Sequence, residues 1–269
     1  MVFVPLEGQR YDMPAVFGPS AVPDRTVVDD ANALVLSFST LPEAAGAMLP
    51  RHFVLPETVT VSISYVGYRN VDYLGGQDYN EVVVSLSALH VHEDETIAAA
   101  FAPVLWVNKV GALVAGREYM GLGKLIGVIP DMTMYDSDAS FTCYEDDTLL
   151  MKGGASSLKR LAPSAIERVN AKAGEVQTFG WKYIAAPGGG ADLDYPLLNV
   201  MRWDYRDCWT GEGWIEFMKA DRRTAPFSSA ALSVLAALPV HGPIRAFRGV
   251  GSATIDRSAT RRLGGTGRG

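Results

Sequence analysis

The stretch GREYMGLGKLIG, residues 116–127, places Lys124 among glycines and aliphatic residues. A lysine that attacks a carbonyl must first lose its proton, and removal from water favours the neutral amine. No carboxylate stands beside Lys124 within the segment 121–126, so burial of that segment would desolvate the amine without offering it a local partner. Lys124 is therefore a candidate for forming an imine with a ketone or an oxo acid, although a surface lysine on a loop fits the same pattern.

Other kinds of reactive site have less support in the sequence. His90 and His92 would share one face of a strand, but the acidic residues 93–95 that follow are typical of a turn, and we expect no metal site. The nucleophile motif GxSxG is missing, and GLGKLIG lacks the spacing and the Ser or Thr of a phosphate-binding loop. Cys143 and Cys208 form no CxxC motif, and two reduced thiols are expected rather than a bridge.

Composition bounds the class of protein. The 269 residues carry a net charge of −6, with 48% hydrophobic and 20% charged residues, which is typical of a soluble globular protein. A nucleic-acid partner is not expected, because phosphate binding needs a basic surface. No run of about 18 apolar residues predicts a membrane span, and no signal peptide is recognisable, so a cytoplasmic location is expected. We predict a single domain over 1–256 and a flexible basic C-terminal tail over 257–269.

The periodicity of hydrophobic residues predicts mostly strands. Strands are predicted at 33–40, 58–68, 80–91, 98–108 and 243–257, with a hairpin in 140–154 and two strands within 196–217 around a turn at 211–213. Helices are predicted at 40–50, 164–172 and 228–239, the first capped by Thr40 and the second by Ser164 in a capping box with Glu167. The fold class is therefore α+β and mostly antiparallel β, a sandwich or a barrel with helices on one side.

Several short motifs resemble the acetoacetate decarboxylase-like superfamily. The Gly-Arg-Glu run at 116–118, followed by Lys124, resembles the signature whose lysine forms the Schiff base, and 79–81 resembles the family's Tyr-x-Glu. The segment 208–217 resembles its Trp-Thr-Gly strand, and 235–255 resembles its Leu-Pro-Val segment. The motifs hold their order from about residue 40 to residue 256, so the resemblance covers most of the chain.

The resemblance implies a fold and a mechanism. The fold would be a mostly antiparallel β-barrel with flanking short helices, a closed pocket and a homo-oligomeric assembly. Lys124 would form a covalent imine with a small oxo acid, so no cofactor is expected, and the iminium would act as an electron sink. Glu81 would move protons to and from the enamine carbon.

The resemblance also suggests supporting roles. Tyr79 and Tyr119 would donate hydrogen bonds to a substrate oxygen. Arg117 and Glu118 would form an ion pair that shapes the loop carrying Lys124, in preference to contacting substrate. The substrate carboxylate would be held by Arg117 or by an arginine that the sequence does not place.

The sequence departs from the decarboxylase pattern near the lysine. Leu125 stands where the family has a second lysine, Gly123 replaces a proline and Leu122 a tyrosine, and Ala31 occupies the register of an upstream arginine. These losses favour an aldolase-dehydratase, in which a pyruvate enamine adds to an aldehyde and the adduct loses water. Some relatives are of that kind, and others belong to secondary-metabolite pathways. Two alternatives remain: a β-keto acid decarboxylase using the same lysine, and a binding protein without catalysis.

Overall fold

The computed structural model describes residues 2–173 and 175–264. Its strands are β1 (Arg25–Thr40), β2 (Val59–Val71), β3 (Gln77–His92), β4 (Glu95–Val107), β5 (Lys124–Ile126), β6 (Thr133–Tyr135), β7 (Asp138–Glu145), β8 (Thr148–Arg160), β9 (Val176–Ala185), β10 (Ala191–Phe217) and β11 (His241–Arg262). Its α-helices are α1 (Pro42–Ala45), α2 (Val110–Met120), α3 (Pro163–Ala173) and α4 (Ser229–Ala236).

The strands form one large sheet that closes on itself. The pairing order runs β11, β1, β2, β3, β4, β9, β10, and β10 also pairs with β11, which completes a ring. Strands β8, β7 and β6 extend the sheet from β10. All neighbours are antiparallel except the pairs that β4 makes with β5 and β9. The predicted α+β class with mostly antiparallel strands is confirmed.

Alternation along the strands separates two hydrophobic clusters. The main cluster contains Leu34, Leu36, Ile63, Val84 and Trp106, among others. The second cluster lies on the opposite parity of the same strands and contains Ala31, Tyr68, Tyr79 and Trp203, with Ala112 of α2 and Ile166 of α3. Helix α2 therefore packs on the face to which β2 directs Tyr68 and β3 directs Tyr79.

Helix α2 is the element that the sequence prediction missed. Gly111 lies in its first turn and Gly116 in its interior, and glycine lowers helix propensity by about 1 kcal/mol relative to alanine. Packing explains the first of them, because a Cβ at Gly111 would lie 2.5 Å from a methyl of Leu74. Gly121 ends the helix in the left-handed region at φ 61°. Arg117 and Glu118 thus lie on a helix rather than on a loop.

The predicted turn at 211–213 is wrong, because β10 runs through it without a break. A Cβ at Gly211 would lie 2.5 Å from the carbonyl oxygen of Ser156, and one at Gly213 would lie 2.8 Å from Ile244. These glycines let neighbouring chain segments approach closely, which is the other use of glycine inside a strand.

The two predicted helix caps are also wrong. Thr40 ends β1, and its hydroxyl donates a 2.7 Å hydrogen bond to the carbonyl of Pro239. Helix α1 begins at Pro42 and gives way to a 3-10 turn, Gly46–Met48. Ser164 lies inside the first turn of α3, which already begins at Pro163. In both cases proline, whose fixed φ suits the first helical turn, marks the start.

The predicted flexible tail is wrong over 257–262. Strand β11 continues to Arg262, where it pairs with Leu197 of β10, and Arg257 is only 5% exposed. The buried residues Ala253, Ile255 and Arg257 alternate along the strand, and the glycine, serine and arginine content of the region hid that pattern. Residues 265–269 lie outside the described residues, and the boundary of the predicted domain stays a prediction.

Two sequence expectations concern single features. Cys143 and Cys208 are both buried and free. Within residues 2–173 and 175–264, no helix is long and apolar enough to cross a membrane.

Candidate active site

Lys124 opens the short strand β5 and is buried. Its backbone lies opposite Leu105 of β4 in a parallel pairing, and the residue is 6% exposed. The guanidinium of Arg117 donates a 3.1 Å hydrogen bond to the Lys124 carbonyl, which ties the strand to α2. A Cβ at Gly123 would lie 2.6 Å from the Pro103 carbonyl oxygen, so this glycine lets the segment approach β4.

Glu81 meets Lys124 from the other side of β4. It lies on β3, is 5% exposed, and has its Oε2 atom 3.1 Å from Lys124 Nζ. The two predicted catalytic residues are therefore in direct contact, although they are separated by 43 positions in the chain. A buried amine and a buried carboxyl at this distance can share or exchange a proton without a water molecule between them.

A tyrosine pair completes the surroundings of the carboxyl group. The Tyr68 hydroxyl donates a 3.3 Å hydrogen bond to Glu81 Oε1, and its ring stacks on that of Tyr79 at 4.7 Å. The Tyr79 ring centre lies 5.9 Å from Lys124 Nζ. Burial, and then the Glu81 charge, raises the pKa of both phenols well above the usual value, so both remain protonated donors at neutral pH.

Tyr68 was not among the predicted site residues. Its position follows from strand register, because Tyr68 of β2 lies directly opposite Tyr79 of β3. Aligning the YNE motif against the preceding strand would have found it.

Gly116, the first residue of the Gly-Arg-Glu run, leaves room for the Lys124 side chain. A Cβ at this position would lie 2.4 Å from Lys124 Cε and 2.6 Å from Cδ. Real contacts of that length do not occur, and on a buried side chain the clash would have to move the lysine. The glycine thus provides the space that the lysine side chain occupies.

The predicted Arg117–Glu118 ion pair is wrong. Successive residues on a helix point about 100° apart, so their side chains cannot face each other. Arg117 binds the Lys124 carbonyl, and the ammonium of Lys182 donates to the backbone carbonyl of Glu118. Burial raises the pKa of the Glu118 carboxyl and lowers that of the Lys182 amine, which the Glu118 charge partly opposes.

Among the described residues, no hydrogen bond links Tyr119 to Lys124. Its hydroxyl binds the carboxylate of Asp12, and the Arg10 guanidinium lies 4.9 Å from its ring centre. Burial, and then the hydrogen bond to Asp12, raises the pKa of Tyr119 to about 12. The residue ties the N-terminal segment to α2, and the predicted contact with substrate stays untested.

Leu125 and Ala31, which stand where the family pattern has cations, are apolar residues in apolar surroundings. Leu125 is half-buried and packs against the main cluster. Ala31 is fully buried opposite Tyr68. Neither position offers a cation beside Lys124. Over the described ranges, no group of three or more His, Cys, Asp or Glu side chains is arranged to hold a metal ion.

Comparison with known proteins gives the family. A family model described as acetoacetate decarboxylase (ADC) matches residues 12–259. The chain belongs to the acetoacetate decarboxylase family. The resemblance seen in the motifs is thereby confirmed, whereas none of the curated proteins matches this chain significantly by sequence.

Solved structures of this family share the fold at low identity. An acetoacetate decarboxylase from Legionella pneumophila subsp. pneumophila str. Philadelphia 1 is 15% identical, with TM-score 0.71, over 90% of this chain and 88% of that one. A second acetoacetate decarboxylase is 12% identical, with TM-score 0.75, over 96% and 97%. The enduracididine biosynthesis enzyme MppR, solved with pyruvate, is 14% identical, with TM-score 0.61, over 89% and 91%. At these identities the likeness establishes the fold alone.

Proposed function

We propose that this chain is a carbon–carbon lyase that forms a Schiff base between Lys124 and a small oxo acid, and that it works as an aldolase-dehydratase. The observation that carries the proposal is the buried 3.1 Å contact between Lys124 Nζ and Glu81 Oε2. Imine chemistry needs an amine nucleophile with a proton acceptor at hydrogen-bond distance. In this site the acceptor also lies beside the position that an imine on Nζ would occupy.

The reaction follows from these two groups. Glu81 takes a proton from the Lys124 ammonium, and the neutral amine adds to the ketone to give a carbinolamine. The protonated Glu81 then gives this proton to the departing hydroxyl, so that loss of water leaves the iminium and a Glu81 carboxylate. A carboxylate at Glu81 then removes a proton from the methyl carbon next to the iminium, which leaves a neutral enamine. The enamine carbon forms a bond to the aldehyde carbon, and the aldehyde oxygen takes up a proton. Loss of that hydroxyl as water, followed by hydrolysis of the imine, releases an unsaturated oxo acid and restores Lys124.

The choice of aldol chemistry over decarboxylation rests on what is missing beside the lysine. Leu125 and Ala31 supply apolar groups where the decarboxylase pattern has cations. The solved relative MppR supports the same direction, since it was also solved with the condensation product of pyruvate and imidazole 4-carboxaldehyde. Decarboxylation of a β-keto acid on the same lysine is the second candidate, and the contact with Glu81 favours either reaction over binding without catalysis.

A direct assay separates the candidates. The protein is incubated with pyruvate and an aromatic aldehyde and, separately, with acetoacetate; NMR follows new carbon–carbon bonds, and released carbon dioxide is measured. An aldolase-dehydratase yields the unsaturated adduct with little carbon dioxide, and Lys124→Met abolishes it. Lys182→Met is the matched control, because Lys182 is a half-buried lysine outside the site, and it should keep the activity. Carbon dioxide from acetoacetate without any adduct would overturn the aldol assignment.

A further inference from the structure

The Tyr68 hydroxyl is a polar group in apolar and aromatic surroundings. The residue is 1% exposed and belongs to the second cluster, where its ring centre lies 4.7 Å from that of Tyr79 and 6.4 Å from that of Trp203. Among the described residues, the hydroxyl has two acceptors within reach, Glu81 Oε1 at 3.3 Å and Met201 Sδ at 4.0 Å. A thioether is a weak acceptor. The Glu81 carboxyl is therefore the main partner of this hydroxyl.

Packing of the second cluster does not account for the hydroxyl. A phenylalanine ring would stack on Tyr79 equally well, whereas a buried hydroxyl costs free energy unless it is hydrogen-bonded. Ala31, which lies opposite Tyr68 on β1, offers only a methyl group to it. What the hydroxyl adds to the structure is its bond to Glu81.

The two oxygens of the Glu81 carboxyl have different partners. Oε2 lies 3.1 Å from Lys124 Nζ, and Oε1 accepts the hydrogen bond from Tyr68. The donors approach from opposite sides of β3, since Tyr68 lies on β2 and Lys124 lies on β5 beyond β4. The carboxyl group cannot rotate without losing one of them. Burial, and then the Glu81 charge, raises the pKa of Tyr68 well above the usual value, so this donor keeps its proton throughout a reaction at neutral pH.

We propose that Tyr68 is a positioning residue that holds Oε1 of Glu81, so that Oε2 alone passes the protons of the reaction. This inference rests on the proposed function, in which Glu81 exchanges protons with Lys124, with the departing hydroxyl and with the methyl carbon. The bond to Oε1 also stabilises the carboxylate, which is the form that accepts a proton. At 3.3 Å the bond is long, and hydrogen bonds at catalytic groups often tighten when substrate binds. Tyr68 acts through Glu81 and needs no contact with substrate.

The ionisable groups around Glu81 are few, so the effect of one hydroxyl can be isolated. The groups that interact with Glu81 or with its phenol neighbours are Lys124 on β5, Tyr68 on β2, Tyr79 on β3, Tyr73 in the turn after β2, and Arg257 on β11, whose charge acts on Tyr73 and Tyr79. Within the described ranges, hydrogen bonds to the Glu81 carboxyl come from Lys124 and Tyr68. Replacing Tyr68 by phenylalanine therefore removes one of these two bonds and leaves the contact with Lys124.

The test uses Tyr68→Phe, which removes only the hydroxyl. Proton NMR measures the exchange of the pyruvate methyl protons with D2O as a function of pH. Carbon-13 NMR follows the Glu81 carboxyl through its pH transition, with the signal identified by its loss in Glu81→Gln. In Tyr68→Phe the maximal exchange rate should fall by about ten- to a hundredfold with little change in KM. The carboxyl transition and the acid side of the rate profile should both move to higher pH, because a lost donor disfavours the carboxylate.

Tyr65→Phe is the matched control, because it removes the hydroxyl of another buried tyrosine on β2. Tyr65 faces the main cluster, and its hydroxyl accepts a 3.1 Å hydrogen bond from the backbone N–H of Met132. This variant loses a buried hydrogen bond without touching Glu81. It should keep the native exchange rate and the native carboxyl transition.

The outcomes separate this inference from the proposed function. If native protein exchanges protons and Tyr68→Phe matches it in rate and in carboxyl transition, the function stands and the inference is overturned. Equal losses of exchange in Tyr68→Phe and Tyr65→Phe, with the carboxyl transition unmoved, would also overturn it, because the loss would then be structural. If native protein forms no imine and exchanges no protons, yet the transition moves in Tyr68→Phe alone, Tyr68 holds the Glu81 carboxyl and the Schiff-base function fails.

Discussion

Lys124 and Glu81 approach each other across β4, which pairs with β5 on one side and with β3 on the other. The 3.1 Å contact between their charged groups is therefore fixed by backbone pairing on both sides rather than by loops. Groups held on paired strands are positioned more precisely than groups on loops. The site is ready for proton transfer without a rearrangement of the fold.

The first prediction concerns proton transfer by Glu81. Glu81→Gln keeps the shape of the side chain but removes the proton acceptor, so exchange of the pyruvate methyl protons with D2O should slow by about 10²–10⁴-fold. Imine formation should slow as well, because an amide cannot take the proton that the Lys124 ammonium must lose before it attacks. NMR measures the exchange and borohydride trapping measures the imine. Glu118→Gln, a change on α2, should leave both as in the native protein, and unchanged exchange in Glu81→Gln would contradict the assigned role.

The second prediction concerns the space beside Lys124. Gly116→Ala places a methyl group 2.4 Å from Lys124 Cε, so the lysine side chain must move. Helix propensity gains about 1 kcal/mol, and overpacking costs about 1–3 kcal/mol, so a small loss of stability is expected with a large loss of imine trapping. Gly188→Ala is the control, because a Cβ there meets nothing within 4 Å. Equal trapping by both variants would show that the lysine does not depend on this packing.

The third prediction concerns stability at alkaline pH. The folded protein holds the pKa of Tyr68 and Tyr79 above the usual value, chiefly by burial and then through the Glu81 charge. The unfolded chain ionises these phenols near pH 10, so the stability present below about pH 10 is lost as the pH rises above it. In Tyr79→Phe, one such group is gone, and the free energy of unfolding should fall less steeply above pH 10, by about 1.4 kcal/mol per pH unit. Urea unfolding at several pH values measures the slope, and identical slopes in the two proteins would refute the prediction.

The fourth prediction concerns stability at acid pH. The Asp194 carboxylate accepts hydrogen bonds from His52 at 2.7 Å and from Trp181 at 2.8 Å, and these bonds lower its pKa. Its contribution is therefore present above about pH 4 and is lost as the pH falls through the lowered value. Asp194→Asn should reduce the free energy of unfolding by about 1–2 kcal/mol at pH 7 and by less at pH 3. Thermal unfolding at both pH values tests this, and a difference that does not shrink on acidification would count against it.

Several features of the fold could be predicted from the sequence. The features that could not be predicted were hidden for physical reasons. Strict alternation in 58–68 and 80–91 marked β2 and β3 because each strand buries one set of side chains deeply. Helix α2 was missed because its glycines serve packing against Leu74 and Lys124 rather than helix formation. Composition hid the end of β11, where a buried arginine sits in a run of polar residues.

The candidate site also contains residues that the sequence could predict and residues that only the structure could place. Lys124 and Glu81 were identified through the family motifs, since nothing in local periodicity relates residues 43 positions apart. Tyr68 required the register of β2 against β3.

The most direct measurement is peptide mapping by mass spectrometry after sodium borohydride treatment of the protein with pyruvate. The Schiff-base account predicts a reduced pyruvate adduct on the peptide that contains Lys124, and no adduct on this peptide in Lys124→Ala. Lys182→Ala, which lacks the half-buried lysine that binds the Glu118 carbonyl, should still be modified at Lys124. An adduct located on another lysine, or no adduct with pyruvate or acetoacetate, would contradict the central claim that Lys124 is the nucleophile.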